Sequence, residues 1–72
     1  MERVEVVGGN VFVLRTKQLG PDWWRCDLYE RVATSNGVEA FVLEDFGGSE
    51  IEAIGMALSD AHEPNHVQHH HH

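Results

Sequence analysis

Seventy-two residues allow one domain at most, and a chain this short buries only roughly 60% of the surface its unfolded form exposes, so self-association would add needed stability. Cys26 is the only cysteine, which excludes a disulfide within the chain and suits a reducing cytoplasm, and no apolar run nears the ~20 residues of a membrane span. Five Lys and Arg against twelve Asp and Glu give a formal net charge of -7, which argues against general nucleic-acid or membrane binding.

The first residues carry Glu2, Arg3 and Glu5 with no apolar run behind them, unlike a secretory leader. Val4-Glu5-Val6-Val7 and Val11-Phe12-Val13-Leu14 flank Gly8-Gly9-Asn10, which predicts a β-hairpin. A three-residue loop would pair Val4 with Leu14 and Val6 with Phe12 and put these four on one face; a two-residue loop spreads them over both. Because a one-residue slip flips a strand, the three-residue loop is the expectation.

Leu19-Gly20-Pro21-Asp22 is a turn, and a third strand is expected from about Trp23 to Ala33. Asn36-Gly37 is a strong hairpin signal; as a two-residue loop it sets Val32 opposite Phe41 and Glu30 opposite Leu43. Glu30 is then the misfit on an apolar face and belongs at the sheet margin. Phe46-Gly47-Gly48 breaks the fourth strand.

Ser49-Glu50-Ile51-Glu52 has the form of a capping box, with the Ser49 hydroxyl accepting from the Glu52 N–H and the Glu52 carboxylate accepting from that of Ser49. Ile51, Ile54, Leu58 and Ala61 recur at helical spacing, with Gly55 on their face. Pro64 ends the helix near Ala61 to His62. His69 to His72 have the form of an expression tag, joined by Val67 and Gln68 (67–72), so the domain is expected over 1–66. The order β-β-β-β-α with short connections predicts an α+β fold: a four-stranded antiparallel β-meander with one C-terminal α-helix on one face.

Alternation gives the helix-covered face Val4, Val6, Phe12, Leu14, Trp24, Cys26, Leu28, Phe41 and Leu43. The open face receives Arg3, Glu5, Val7, Val11, Val13, Arg15, Lys17, Trp23, Arg25, Asp27, Tyr29, Arg31, Ala40, Val42 and Glu44, and so all five basic residues. Everything after Val32 lacks Lys and Arg, so the acids Glu50, Glu52, Asp60 and Glu63 give the helix an acidic surface away from that face. The open face reads either as an ordinary solvated sheet or as a contact surface. Its candidate contact residues are Val11, Val13, Arg15, Lys17, Trp23, Arg25, Tyr29, Arg31 and Val42. Trp, Tyr and Arg are the side chains that dominate interface energetics.

Catalytic and metal signatures are weak. Cys26 alternates into the core between Trp24 and Leu28, where a thiol is inert. One cysteine makes no zinc pattern, and Pro64 separates His62 from His66. Gly47-Gly48 precedes a helix N-terminus, but Ser49, Glu50 and Glu52 supply the negative partners and no Lys follows. No catalytic residue, cofactor or metal is therefore assigned. The leading expectation is a non-enzymatic interaction protein, a homodimer or a binder of a protein partner, of the kind seen in small inhibitors and accessory factors of phage or other mobile elements. The alternative is single-stranded nucleic-acid binding on the basic and aromatic sheet face. An enzyme with a site shared between subunits is the third class.

Overall fold

The computed structural model describes residues 1–32 and 37–62. It contains β1 (Glu2–Val7), β2 (Asn10–Gly20), β3 (Trp23–Arg31), β4 (Glu39–Gly47) and α1 (Glu50–His62). The strands form one antiparallel sheet in the order β1-β2-β3-β4, and α1 packs on one face. This is the α+β meander that the sequence predicts. No described helix is long and apolar enough to cross a membrane. The tag-like tail, Glu63, Pro64 and His66 lie outside the described residues, as does Asn36 of the expected Asn36-Gly37 turn.

The first hairpin corrects the expected register. Val7 pairs with Asn10, Val6 with Val11 and Val4 with Val13, so the loop is the two residues Gly8 and Gly9. Both adopt positive φ, 58° and 85°. A tight hairpin turn whose twist matches its strands needs that backbone at both central positions, and glycine takes it without steric cost. The shorter loop turns β1 over: Val4 and Val6 join the open face, whereas Arg3, Glu5 and Val7 face the helix side. Four basic residues, not five, therefore belong to the open face.

The β3–β4 register differs too. Arg31 pairs with Glu39, Glu30 with Ala40 and Tyr29 with Phe41, and the Val32 N–H donates to the Val38 carbonyl at 2.8 Å. The connection is thus longer than the two residues expected. A β-bulge at Val42 then shifts the ladder so that Leu28 pairs with Leu43. Phe41 consequently lies on the open face beside Tyr29 and Ala40 on the helix side, the reverse of expectation. Glu30, opposite Phe12 and Ala40, is half-buried at the end of the core face.

The core between sheet and helix consists of Phe12, Leu14, Cys26 and Leu28 against Ala53, Ile54 and Ala57, flanked by Val7, Trp24, Leu43, Leu58 and Ala61. Ile51 does not dock: it is 80% exposed. Gly55 is also exposed, with open space around it. Close approach occurs instead at Gly47, where a Cβ would lie 2.6 Å from the Ala53 nitrogen. The small side chains of Ala53 and Ala57 let the helix come that near.

At the helix start, Ser49 Oγ accepts from the Glu52 N–H at 3.2 Å, as the capping box requires. The Glu52 carboxylate, however, accepts from the Gly48 N–H and not from that of Ser49. Thr16 Oγ1 donates to Glu50 Oε2 at 2.5 Å and ties the first turn to β2.

Candidate interaction face

The pairings fix which side chains the open face presents, row by row. One row runs Val6, Val11, Arg31, Glu39; the next Val4, Val13, Tyr29, Phe41; the next Glu2, Arg15, Asp27, Glu44; then Lys17, Arg25 and Phe46. Trp23 closes the far end, its ring centroid 6.2 Å from that of Phe46. Val11, Val13, Arg15, Lys17, Trp23, Arg25, Tyr29 and Arg31 thus share this side of the sheet. Val42 is the extra residue of the bulge and has no cross-strand partner.

Val13 is not available for contact. It is 0% exposed, sealed among its cross-strand neighbours Val4 and Tyr29 and its same-face neighbours Val11 and Arg15. Trp23 and Val42 are exposed as expected, but the rest of the exposed apolar surface comes from residues that sequence reasoning placed in the core or did not single out. Val4, Val6 and Phe41 are 49%, 67% and 58% exposed, and Phe46 is exposed as well. The signal for Val4 and Val6 was present in the Gly8-Gly9 pair, whose preferred turn fixes the register. Nothing in the sequence announced the bulge that turns Phe41 outward.

Cross-linked charges stand among these apolar groups. The Arg15 guanidinium lies 4.9 Å from the centre of the Tyr29 ring, while Phe41 meets that ring edge-on at 5.7 Å. Arg15 Nη1 is 2.8 Å from Glu39 Oε1 and its Nε is 3.3 Å from Glu2. Arg31 also reaches Glu39, at 3.6 Å, and Arg25 pairs with Asp27 at 3.4 Å. The Arg15 hydrogen bond, with Arg31 adding to it, holds the Glu39 carboxyl below the usual carboxylate range. Glu39 in turn raises the pKa of Arg15. Four cations, Arg15, Lys17, Arg25 and Arg31, meet four carboxylates, Glu2, Asp27, Glu39 and Glu44, so the face is close to neutral. The chain's acidity lies elsewhere.

On the other side, Cys26 is wholly buried and its thiol is pushed up to about 11, by loss of solvation first and then by Asp27, Asp45 and Glu50. A thiol held protonated is a poor nucleophile. Of the expected acidic helix surface, Glu52 is exposed but caps Gly48, Asp60 is half-buried, and Glu63 is outside the described residues. Because Glu52 takes the Gly48 N–H, the helix N-terminus already has its anion. Among the described residues no group of three His, Cys, Asp or Glu side chains could hold a metal ion. The chain matches no protein-family model, and comparison with curated proteins and with solved structures gives no match.

Proposed function

We propose that this chain is a non-enzymatic interaction protein whose open sheet face docks a protein surface. One observation carries the reading: Val4, Val6, Phe41, Phe46 and Trp23 stand exposed on the one face that α1 leaves uncovered, interleaved with charges that already neutralise one another. Solvation alone asks for polar groups at such positions, and exposed apolar patches of this kind mark contact sites. A neutral, aromatic and Arg-containing surface fits a protein better than a polyanion.

Capture from cell lysate on immobilised protein tests this with two matched substitutions. Phe41→Asp places a carboxylate on the open face, and Ile51→Asp places one on the outer side of the helix. Loss of the retained protein with Phe41→Asp alone is expected. Loss with Ile51→Asp alone, or with neither, contradicts the reading.

Single-stranded nucleic acid is the second reading, favoured by one corner of the face. There Trp23 and Phe46 form an exposed aromatic pair beside Lys17 and Arg25. Bases could stack on that pair while the cations meet phosphate. It ranks second because Arg15, Arg25 and Arg31 are already paired with carboxylates, which would repel phosphate. Quenching of tryptophan fluorescence by an oligothymidine, lost as salt rises, would support it.

A further inference from the structure

The edge of the sheet at β1 has a feature separate from what the open face binds. We propose that β1 pairs antiparallel with β1 of a second copy, centred on Val4, to join two four-stranded sheets into one.

The backbone gives the first reason. The Thr16 N–H donates to the Met1 carbonyl at 2.9 Å, so Met1 turns its backbone groups toward β2. By alternation along an antiparallel strand, Arg3, Glu5 and Val7 do the same, and Glu2, Val4 and Val6 direct theirs out of the sheet. Helix α1 lies over β4, β3 and β2 and leaves this edge uncovered. Strand β1 holds no proline and no bulge, two of the devices that blunt a free edge, and its charges, another such device, are of both signs and so can pair with those of a second copy. The opposite edge differs, since β4 carries the bulge at Val42.

Side chains select the register. Antiparallel pairing about a two-fold axis keeps both open faces on one side and places residues symmetrically about a centre. Centring on Arg3 sets Arg3 against Arg3 of the partner subunit. Centring on Glu5 sets two glutamates together. Centring on Val4 sets Arg3 against Glu5 of the partner subunit and Glu5 against Arg3 of the partner subunit, with Val4 against its own copy on the open face. Like charges directly opposite oppose pairing and unlike charges favour it. The Val4 register also uses every outward backbone group: Val4 bonds Val4 of the partner subunit, and Glu2 bonds Val6 of the partner subunit in both directions. Arg3 and Glu5 share a face and already bond within one chain, Nε to Oε2 at 2.6 Å, so the dimer holds a cluster of four alternating charges. The product is a continuous eight-stranded sheet, two times four, with both helices on one side and both open faces on the other.

Solution mass by sedimentation tests the pairing. Wild-type protein should be a dimer. Arg3→Glu and Glu5→Arg each place like charges at both symmetric contacts and should each raise Kd roughly tenfold or more. An equal mixture of the two variants restores unlike pairs and should recover the dimer as a mixed species. Val4→Pro removes a backbone donor that points away from β2, so the fold should survive while the dimer is lost. Phe41→Asp should leave the dimer intact, which separates this test from that of the open face. A monomeric wild type, dimers that persist in both charge variants, or a mixture that stays monomeric would overturn the proposal. The mixture decides even if Val4→Pro proves unfolded.

Discussion

Val6 and Val13 project from the same face of the sheet, yet Val13 is wholly sealed and Val6 stands 67% exposed. Alternation with the three-residue loop set them on opposite faces, and even with the register corrected it sees the face but not the neighbours that cover it. Val13→Asp should therefore unfold the monomer, costing roughly 3–5 kcal/mol as an uncompensated buried charge. Val6→Asp should cost about 1 kcal/mol or less, within the range of strand preferences on an exposed site. Urea denaturation of both variants checks this, and equal effects would mean the two environments are not distinct. Cys26 was legible in the sequence, lying between Trp24 and Leu28 as a core residue. Its burial has a pH consequence. The folded thiol titrates at about 11, above its unfolded value, so the folded state holds the proton more tightly. Stability from this group is complete below the unfolded pKa and falls as pH rises from roughly 9 toward 11. The stability advantage of wild type over Cys26→Ala should shrink across that window, and an advantage independent of pH would show that the thiolate is tolerated in the core.

The strands, their order and the helix were all readable from apolar runs, Gly and Pro punctuation and the Ser49 capping pattern. Registers were not. Val4, Val6, Val7, Val11 and Val13 place apolar groups on both parities, so hydrophobic alternation could not choose between loop lengths at Gly8-Gly9. The docking stripe of α1 was read in part: Ile54, Leu58 and Ala61 pack on the sheet as expected, but Ile51 does not and Ala53 and Ala57 do. Ile51 is the larger side chain, but Ala53 and Ala57 take the close contact beside Ile54 because Gly47 allows the backbones to approach. Two glycine substitutions separate these roles. Gly47→Ala sets a Cβ against the Ala53 and Glu52 backbone and should destabilise by about 1–3 kcal/mol. Gly55→Ala meets open space on an exposed helix position and should stabilise by roughly 0.5–1 kcal/mol. Thermal melting of the pair would contradict the docking geometry if the signs were reversed. Ser49→Ala should cost about 0.5–2 kcal/mol by freeing the Glu52 N–H, while Ser49→Asp, which also caps, should stay close to wild type.

Charge is segregated in the folded protein. The sheet face is nearly neutral because Glu39 and Glu44 of β4 join its cations, and the other described acids after Val32 are Asp45 and those of α1. The sequence showed the acidic helix in a C-terminal half without Lys or Arg, but put all five basic residues on the open face, where four lie. The ion pairs that neutralise the sheet face were not visible there, because Arg15 reaches Glu39 across β3, a contact no local spacing encodes. An apolar, neutral face lies opposite an acidic helix, and under the proposed function the sheet side makes the contact. Hydroxyl-radical footprinting of the chain in complex with the protein it captures reads both sides at once. Trp23, Phe41 and Phe46 report on the sheet face, and Ile51 and Met56, both exposed, report on the helix. Protection of Trp23, Phe41 and Phe46 with Ile51 and Met56 still reactive is the expected result; protection of Ile51 and Met56 with the sheet aromatics still reactive would contradict it.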